Sequence, residues 1–288
     1  MASMRDIKRR KESVTSTGQI TKAMKLVSTV KLQHAKSHVE EAKPYFQHLY
    51  DAINSILSKS EGVSHPLLSG GDSKKKAIIL VTSNRGLAGG YNSNAIKLIT
   101  KGGFEKDDVV VYAVGRKGKE ALVNLGYDVR KDYSEVMNKP LFSDAVEIGR
   151  EVMQAFKDNE VGEIYLAYTI FKNTVVHIPT IKRLLPFVPE EGDVREKKTI
   201  EDLTLMNYEP ESEEVLSEII PKYVNGIIYG ALIEALASEN GARMQAMDNA
   251  TNNAEEMIAD LELKYNRARQ GSITQELTEI VAGASAIN

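Results

Sequence analysis

The sequence predicts an α/β fold in two parts: a long antiparallel coiled coil made by the N- and C-terminal helices, and a mainly parallel sheet with covering helices between them. Three observations predict it. Both ends of the 288-residue chain carry apolar residues at spacings of three and four, the helical period. Between them the pattern changes to short, continuous apolar runs, the mark of strands buried on both faces. Those runs alternate with helical stretches, as in a parallel sheet with crossover helices.

The first helical segment runs from about Ser3, a plausible N-cap, to about Ser60. The recurring positions are Met4, Ile7, Lys11, Val14, then Ile20, Met24, Val27 and Val30, and later Ala35, Val39, Ala42, Phe46, Leu49, Ile53 and Ile56. Pro44 is expected to kink it. Strands follow at Lys76–Thr82, Val109–Val114, Glu163–Phe171 and Thr174–Leu185, with a more polar one at Tyr127–Tyr133. The intervening helices are expected at Asn94–Lys101, Gly118–Leu125 and Asp144–Phe156, the last capped by Ser143. Residues 61–74 and 186–207 are connectors, rich in turn formers and charge. The last helix runs from about Glu213 to about Ala284, with Pro221 near its start, where proline is best tolerated. Its clearest stretch, Met247, Ala250, Ala254, Met257, Leu261, Lys264 and Ala268, has the heptad rhythm of a coiled coil. The division is therefore 1–60 and 208–288 for the coiled coil, which pair as one rod, and 75–190 for a Rossmann-like α/β domain.

Length requires the rod. A compact globule of this size would be roughly 50 Å across. Unbroken helices of the two end segments would be roughly 85 and 105 Å long. Two paired helices bury only a narrow seam, so their remaining apolar surface needs other chains around it.

Composition excludes several classes. The chain has no cysteine and a formal net charge of −3. Disulfides, thiolate metal sites and cysteine nucleophiles are absent from this sequence. No uninterrupted apolar run approaches the ~18 residues of a membrane span, and the start has no apolar signal region. The near-neutral total hides an uneven distribution. Residues 1–38 carry nine basic residues against Asp6 and Glu12, whereas residues 186–218 carry eleven carboxylates against Arg195, Lys197 and Lys198. The basic head reads either as a solvated helix face or as a surface for an acidic protein or a nucleic acid.

Motifs for catalysis are weak. Gly86-Leu87-Ala88-Gly89-Gly90 lies between a strand and a helix, where a phosphate loop would lie, but lacks the G-x-G-x-x-G spacing. Gly115-Arg116-Lys117-Gly118-Lys119 is followed by Glu120 rather than Ser or Thr. A tight turn that packs helix against sheet is the expectation for the glycine loop. His34 and His38 are at i, i+4 but lack a third ligand and sit among lysines. No catalytic residue, cofactor site or metal site is assigned. The final helix carries Arg243, Arg267 and Arg269 among several amides. That suits either a polar outer face or a surface that makes and releases hydrogen bonds with a surrounding protein.

Specific stretches add a resemblance. Gln19 to Ser28 (QITKAMKLVS), Thr82 to Asn92 (TSNRGLAGGYN), Glu239 to Ala250 (ENGARMQAMDNA) and Tyr265 to Val281 resemble the gamma subunit of F-type ATP synthases across nearly the whole chain. That family usually has Asp at the position of Asn84 and often Cys at that of Ala88. The resemblance implies a central rotor shaft. Its coiled coil turns inside a hexamer of alpha and beta subunits, and its α/β domain sits with epsilon on the membrane c-ring. It further implies that ATP, ADP and Mg2+ are held by the alpha and beta subunits, with none bound here. Membrane contact would come only through the c-ring, on the cytoplasmic side of a bacterial cell membrane. By the same resemblance Lys22, Met24 and Lys25 face an acidic lever segment of beta. Arg243, Arg269, Gln270, Thr274 and Glu276 match positions that contact catch loops of the hexamer. The cysteine-bearing regulatory insertion of chloroplast members is absent. The rival readings are a nucleic-acid-binding module using the basic helix and a nucleotide enzyme with helical tails; neither has its own motif.

Overall fold

A computed structural model describes residues 4–59, 66–71, 73–187 and 212–285. Ser3, most of the acidic segment, part of the first connector and most of the second lie outside these residues. In order, the elements are α1 (Met4–Lys59), α2 (Pro66–Ser69), β1 (Lys76–Val81), α3 (Tyr91–Thr100), β2 (Val109–Val114) and α4 (Arg116–Asn124). After them come β3 (Asp128–Asp132), α5 (Phe142–Lys157), β4 (Glu163–Phe171), β5 (His177–Leu185) and α6 (Ser212–Ser285). Contacts divide the chain into two compact units, Met1–Thr29 with Arg243–Asn288, and Val30–Ala242.

The second unit is a three-layer sandwich. Its five strands are ordered β3-β2-β1-β4-β5, parallel except for the antiparallel β4–β5 pair. The central strands β1 and β2 are buried along nearly their whole length, as their continuous apolar runs require. Alternate side chains feed two separate cores. Ile78, Leu80, Val109, Val111 and Ala113 pack with Ala95 and Ile99 of α3 and Leu122 of α4. Ala77, Ile79, Val81, Val110, Tyr112 and Val114 belong to a larger core with Ile148 and Val152 of α5. That core also takes Tyr50, Ile53 and Ile56 of α1 and Leu216, Ile220, Val224, Ile228 and Leu232 of α6. By length and hydropathy one window of α6 could cross a bilayer, and half of it is buried. The stretch from Leu216 to Ala235 is core helix, packed on the sheet.

Pro44 lies inside α1, which is helical on both sides of it. Other local expectations change. Pro221 lies in the interior of α6, beyond its first turn, rather than at the helix start. Ser143 is not the cap of α5. The helix begins after Leu141, whose amide donates to Asp144 Oδ2 at 2.9 Å. Strand β5 begins at His177 rather than Thr174 because Asn173 Oδ1 accepts the amides of Val175 and Val176, closing a turn first.

His177 packs on Phe171, with ring centroids 6.0 Å apart, and lies where a Cβ on Gly241 would approach its Nε2 to 2.7 Å. Its buried Nε2 finds no hydrogen-bond partner among the described residues. Burial holds its pKa below the ordinary value of 6.5. The folded state therefore favours the neutral ring, and this contribution is complete above pH 6.5 and lost as pH falls below it. Asp132, Glu151 and Glu163 are also held low. Burial alone would raise them, but hydrogen bonds and nearby cations, among them Lys119, Lys131 and Lys76, outweigh it. Their contributions are lost only at more acid pH. Urea midpoints measured at pH 7 and at about pH 5 should fall for the unmodified chain. The fall should be smaller for His177→Leu.

Candidate partner-binding surfaces on the terminal helices

The first unit pairs the start of α1 with the end of α6. Lys11 Nζ meets Glu262 Oε1 at 2.5 Å, Thr21 Oγ1 meets Thr251 Oγ1 at 2.8 Å, and Lys25 Nζ meets Asp248 Oδ1 at 2.6 Å. Each advance along one helix is matched by a retreat along the other, so the pair is antiparallel. The less exposed positions of α1 include Met4, Ile7, Lys11, Val14, Gly18, Thr21, Lys25 and Ser28, an alternation of three and four, with Thr15, Met24 and Thr29 half-buried beside them. Those of α6 are Met247, Thr251, Ala254, Ile258, Leu261, Tyr265 and Ala268.

This seam corrects the expected one. Met247, Ala254, Leu261 and Ala268 are buried or half-buried and Ala250 is half-buried, but Met257 and Lys264 are exposed, and Thr251, Ile258 and Tyr265 take the alternate positions. On α1 the stripe of Ile20 and Val27 faces outward, 58% and 56% exposed, and Leu26 beside it is 62% exposed. Past Gly18 the seam of α1 is small and polar, and the larger apolar side chains are left outside. Near the end of α6, Ile273, Leu277, Ile280 and Val281 are also exposed. A stripe that the helix pair itself does not cover is the signature of a surface with another partner.

The residues singled out by sequence fall into two groups. Lys22 is exposed, Met24 is half-buried, and Lys25 is half-buried and paired with Asp248. These three share two helical turns with Ile20, Leu26 and Val27. Arg243, little more than one turn before Asp248 on α6, is 8% exposed. Arg269, Gln270, Thr274 and Glu276 form the second group, all exposed, with Thr274 donating to the Gln270 carbonyl at 2.9 Å. Met4 of α1 lines the same cleft as Gly271 and Gln275, so this group lies at the opposite end of the seam from Lys25. The exposed apolar residues flanking both groups are not among those singled out from sequence.

The loop before α4 is closed by the chain's own groups. All the first amides of α4 are satisfied within the chain. Arg116 N donates to Asn84 Oδ1, Lys117 N to the Ser83 carbonyl, Gly118 N to Thr82 Oγ1 and Lys119 N to the Gly115 carbonyl. A phosphate there would have to displace these bonds. Asn84 Nδ2 also donates to the Ser134 carbonyl at 2.8 Å, which an aspartate could not do. No group of three or more His, Cys, Asp or Glu that could hold a metal occurs among the described residues.

The fold matches a chain of the OSCP/F1/c-ring assembly of Euglena gracilis mitochondrial ATP synthase with a TM-score of 0.70 at 17% identity, covering 99% of this chain and 94% of that one. A chain from the central stalk and c-ring of Tetrahymena thermophila mitochondrial ATP synthase matches with a TM-score of 0.58 at 22% identity, covering 80% and 99%. In sequence, a family described as ATP synthase matches residues 3–287. The ATP synthase gamma chain of Lachnoclostridium phytofermentans is 69% identical over the full length of both chains. A sodium-ion-specific ATP synthase gamma chain from Acetobacterium woodii is 42% identical over 99% of each. The chain belongs to the ATP synthase gamma-chain family.

Proposed function

We propose that the chain is the rotating shaft of an F-type ATP synthase, transmitting torque between a membrane c-ring and an alpha/beta hexamer and so coupling ion translocation to ATP synthesis or hydrolysis. The observation that carries this reading is the outward apolar stripe on a helix pair that has already closed its own seam. Residues 1–60 and 208–288 supply the shaft, and 75–190 the α/β domain that meets epsilon and the c-ring. The chain contributes no catalytic residue. ATP, ADP and Mg2+ are held by the alpha and beta subunits, and the assembly is peripheral on the cytoplasmic side of a bacterial cell membrane.

Ile20, Lys22, Met24, Lys25 and Val27 form a mixed basic and apolar surface suited to an acidic, partly apolar lever of beta. Arg243, Arg269, Gln270, Thr274 and Glu276 supply hydrogen bonds that differ between rotary states, which is what shifts a conformational equilibrium. Mixing the purified chain with alpha and beta subunits should yield one chain per hexamer and a gain in ATPase rate. Failure to assemble would refute the reading. Arg269→Ala with Gln270→Ala should lower coupled turnover about tenfold while leaving the isolated chain folded, since lost charge-assisted bonds are worth ~1.5–3 kcal/mol each.

A further inference from the structure

We infer that the Thr21–Thr251 hydroxyl pair is a register lock for the helix pair, fixing the axial alignment of α1 against α6. This rests on the shaft reading for its purpose, but not for its geometry. Both threonines are 8% exposed, and their hydroxyls meet across the seam at 2.8 Å. One turn away, a Cβ on Gly18 would stand 3.3 Å from the Ala254 Cβ, so the backbones approach closely here. On one side of the pair the seam is Gly18 with Ala254, and on the other it passes to Lys25 and Met247. Small side chains make a smooth seam, and a smooth seam offers few knobs to oppose sliding.

The ion pairs on either side cannot supply the missing constraint. Lys11–Glu262 and Lys25–Asp248 have side chains 36–54% exposed, and long, solvated side chains can follow a shift of the backbone. The threonines cannot. Their hydroxyls form a short chain in which Thr21 Oγ1 lies 3.0 Å from the Gly18 carbonyl and Thr251 Oγ1 lies 2.8 Å from the Met247 carbonyl. Three contacts share two protons, so one hydroxyl donates across the seam and the other to its own helix. Slip by one residue separates the hydroxyls and leaves each to its own backbone. A buried polar contact of this kind specifies alignment more than it adds stability.

The test uses Thr21→Val with Thr251→Val, a near-isosteric change that removes both hydroxyls and leaves no orphan. Alignment is read by zero-length carbodiimide coupling of Lys11 to Glu262 and of Lys25 to Asp248 in the full chain, followed by peptide mapping. The coupling yields should fall at least about threefold in the valine variant, with the thermal midpoint of the chain little changed. Thr21→Ser with Thr251→Ser should restore them. In the assembled complex the valine variant should keep its unloaded ATPase rate and lose about fivefold in ATP-driven ion pumping against a gradient. Unchanged coupling yields would overturn the lock. Reduced yields with unchanged pumping would overturn its role under load. If the unmodified chain fails to assemble with alpha and beta, the shaft reading fails, while the coupling yields still decide the lock.

Discussion

Gly115→Ala should destabilise the α/β domain by more than about 3 kcal/mol, one of the two largest effects expected of any single site here. Gly115 has φ of 116°, and a Cβ there would lie 2.0 Å from the Thr82 carbonyl oxygen. The obstacle is backbone, and it cannot rotate away. Thr82 is also pinned, since its amide donates to the Val114 carbonyl at 2.8 Å and its hydroxyl receives the amide of Gly118. Moving Thr82 would disturb β1, β2 and the first turn of α4 together. Gly86→Ala is the matched control, because a Cβ at Gly86 meets nothing within 4 Å. Urea denaturation should show a large drop in midpoint for the first variant and little change for the second. Equal midpoints would show that the turn relaxes freely.

Ile20→Asp with Val27→Asp should leave the isolated chain folded and reduce its stimulation of alpha/beta ATPase by at least about tenfold. Both side chains are more than half exposed, so removing them costs the chain little. In the proposed complex they are buried against a lever that carries negative charge. Two new carboxylates there must be desolvated beside like charges, with only Lys22 and the already engaged Lys25 to offset them. Circular dichroism checks the fold and ATPase titration checks the function. Full stimulation by this variant would place the partner surface elsewhere.

The central strands were legible because burial on both faces writes itself as unbroken apolar runs. The bounds of β2 and β4 are those read from sequence, and β1 differs by its last residue. The edge strand β3 was faint for the opposite reason. Its side chains alternate between exposed and half-buried, so its run is broken by Asp128, Arg130 and Asp132. Helix ends were less legible. A carboxylate at Asp144 and backbone carbonyls took the roles that Ser143 was expected to take. The proposed partner-binding groups rest on resemblance, and the exposed apolar residues around them were not singled out with them. Periodicity alone could not tell which of two stripes on α1 met α6. The larger apolar residues suggested one stripe, but close approach of the backbones selected the smaller, more polar one.

Both terminal helices cover the same face of the sheet, and this dictates an order of events on the ribosome. Strand β5 ends at Leu185, yet the part of α6 that covers Ile79, Val81 and Tyr112 starts only at Leu216. Until that segment emerges, a nascent chain holds a finished set of strands with half of one greasy face bare. Chains cut short before α6 should therefore be clients of holding chaperones, whereas chains that include α6 cover that face with their own helix.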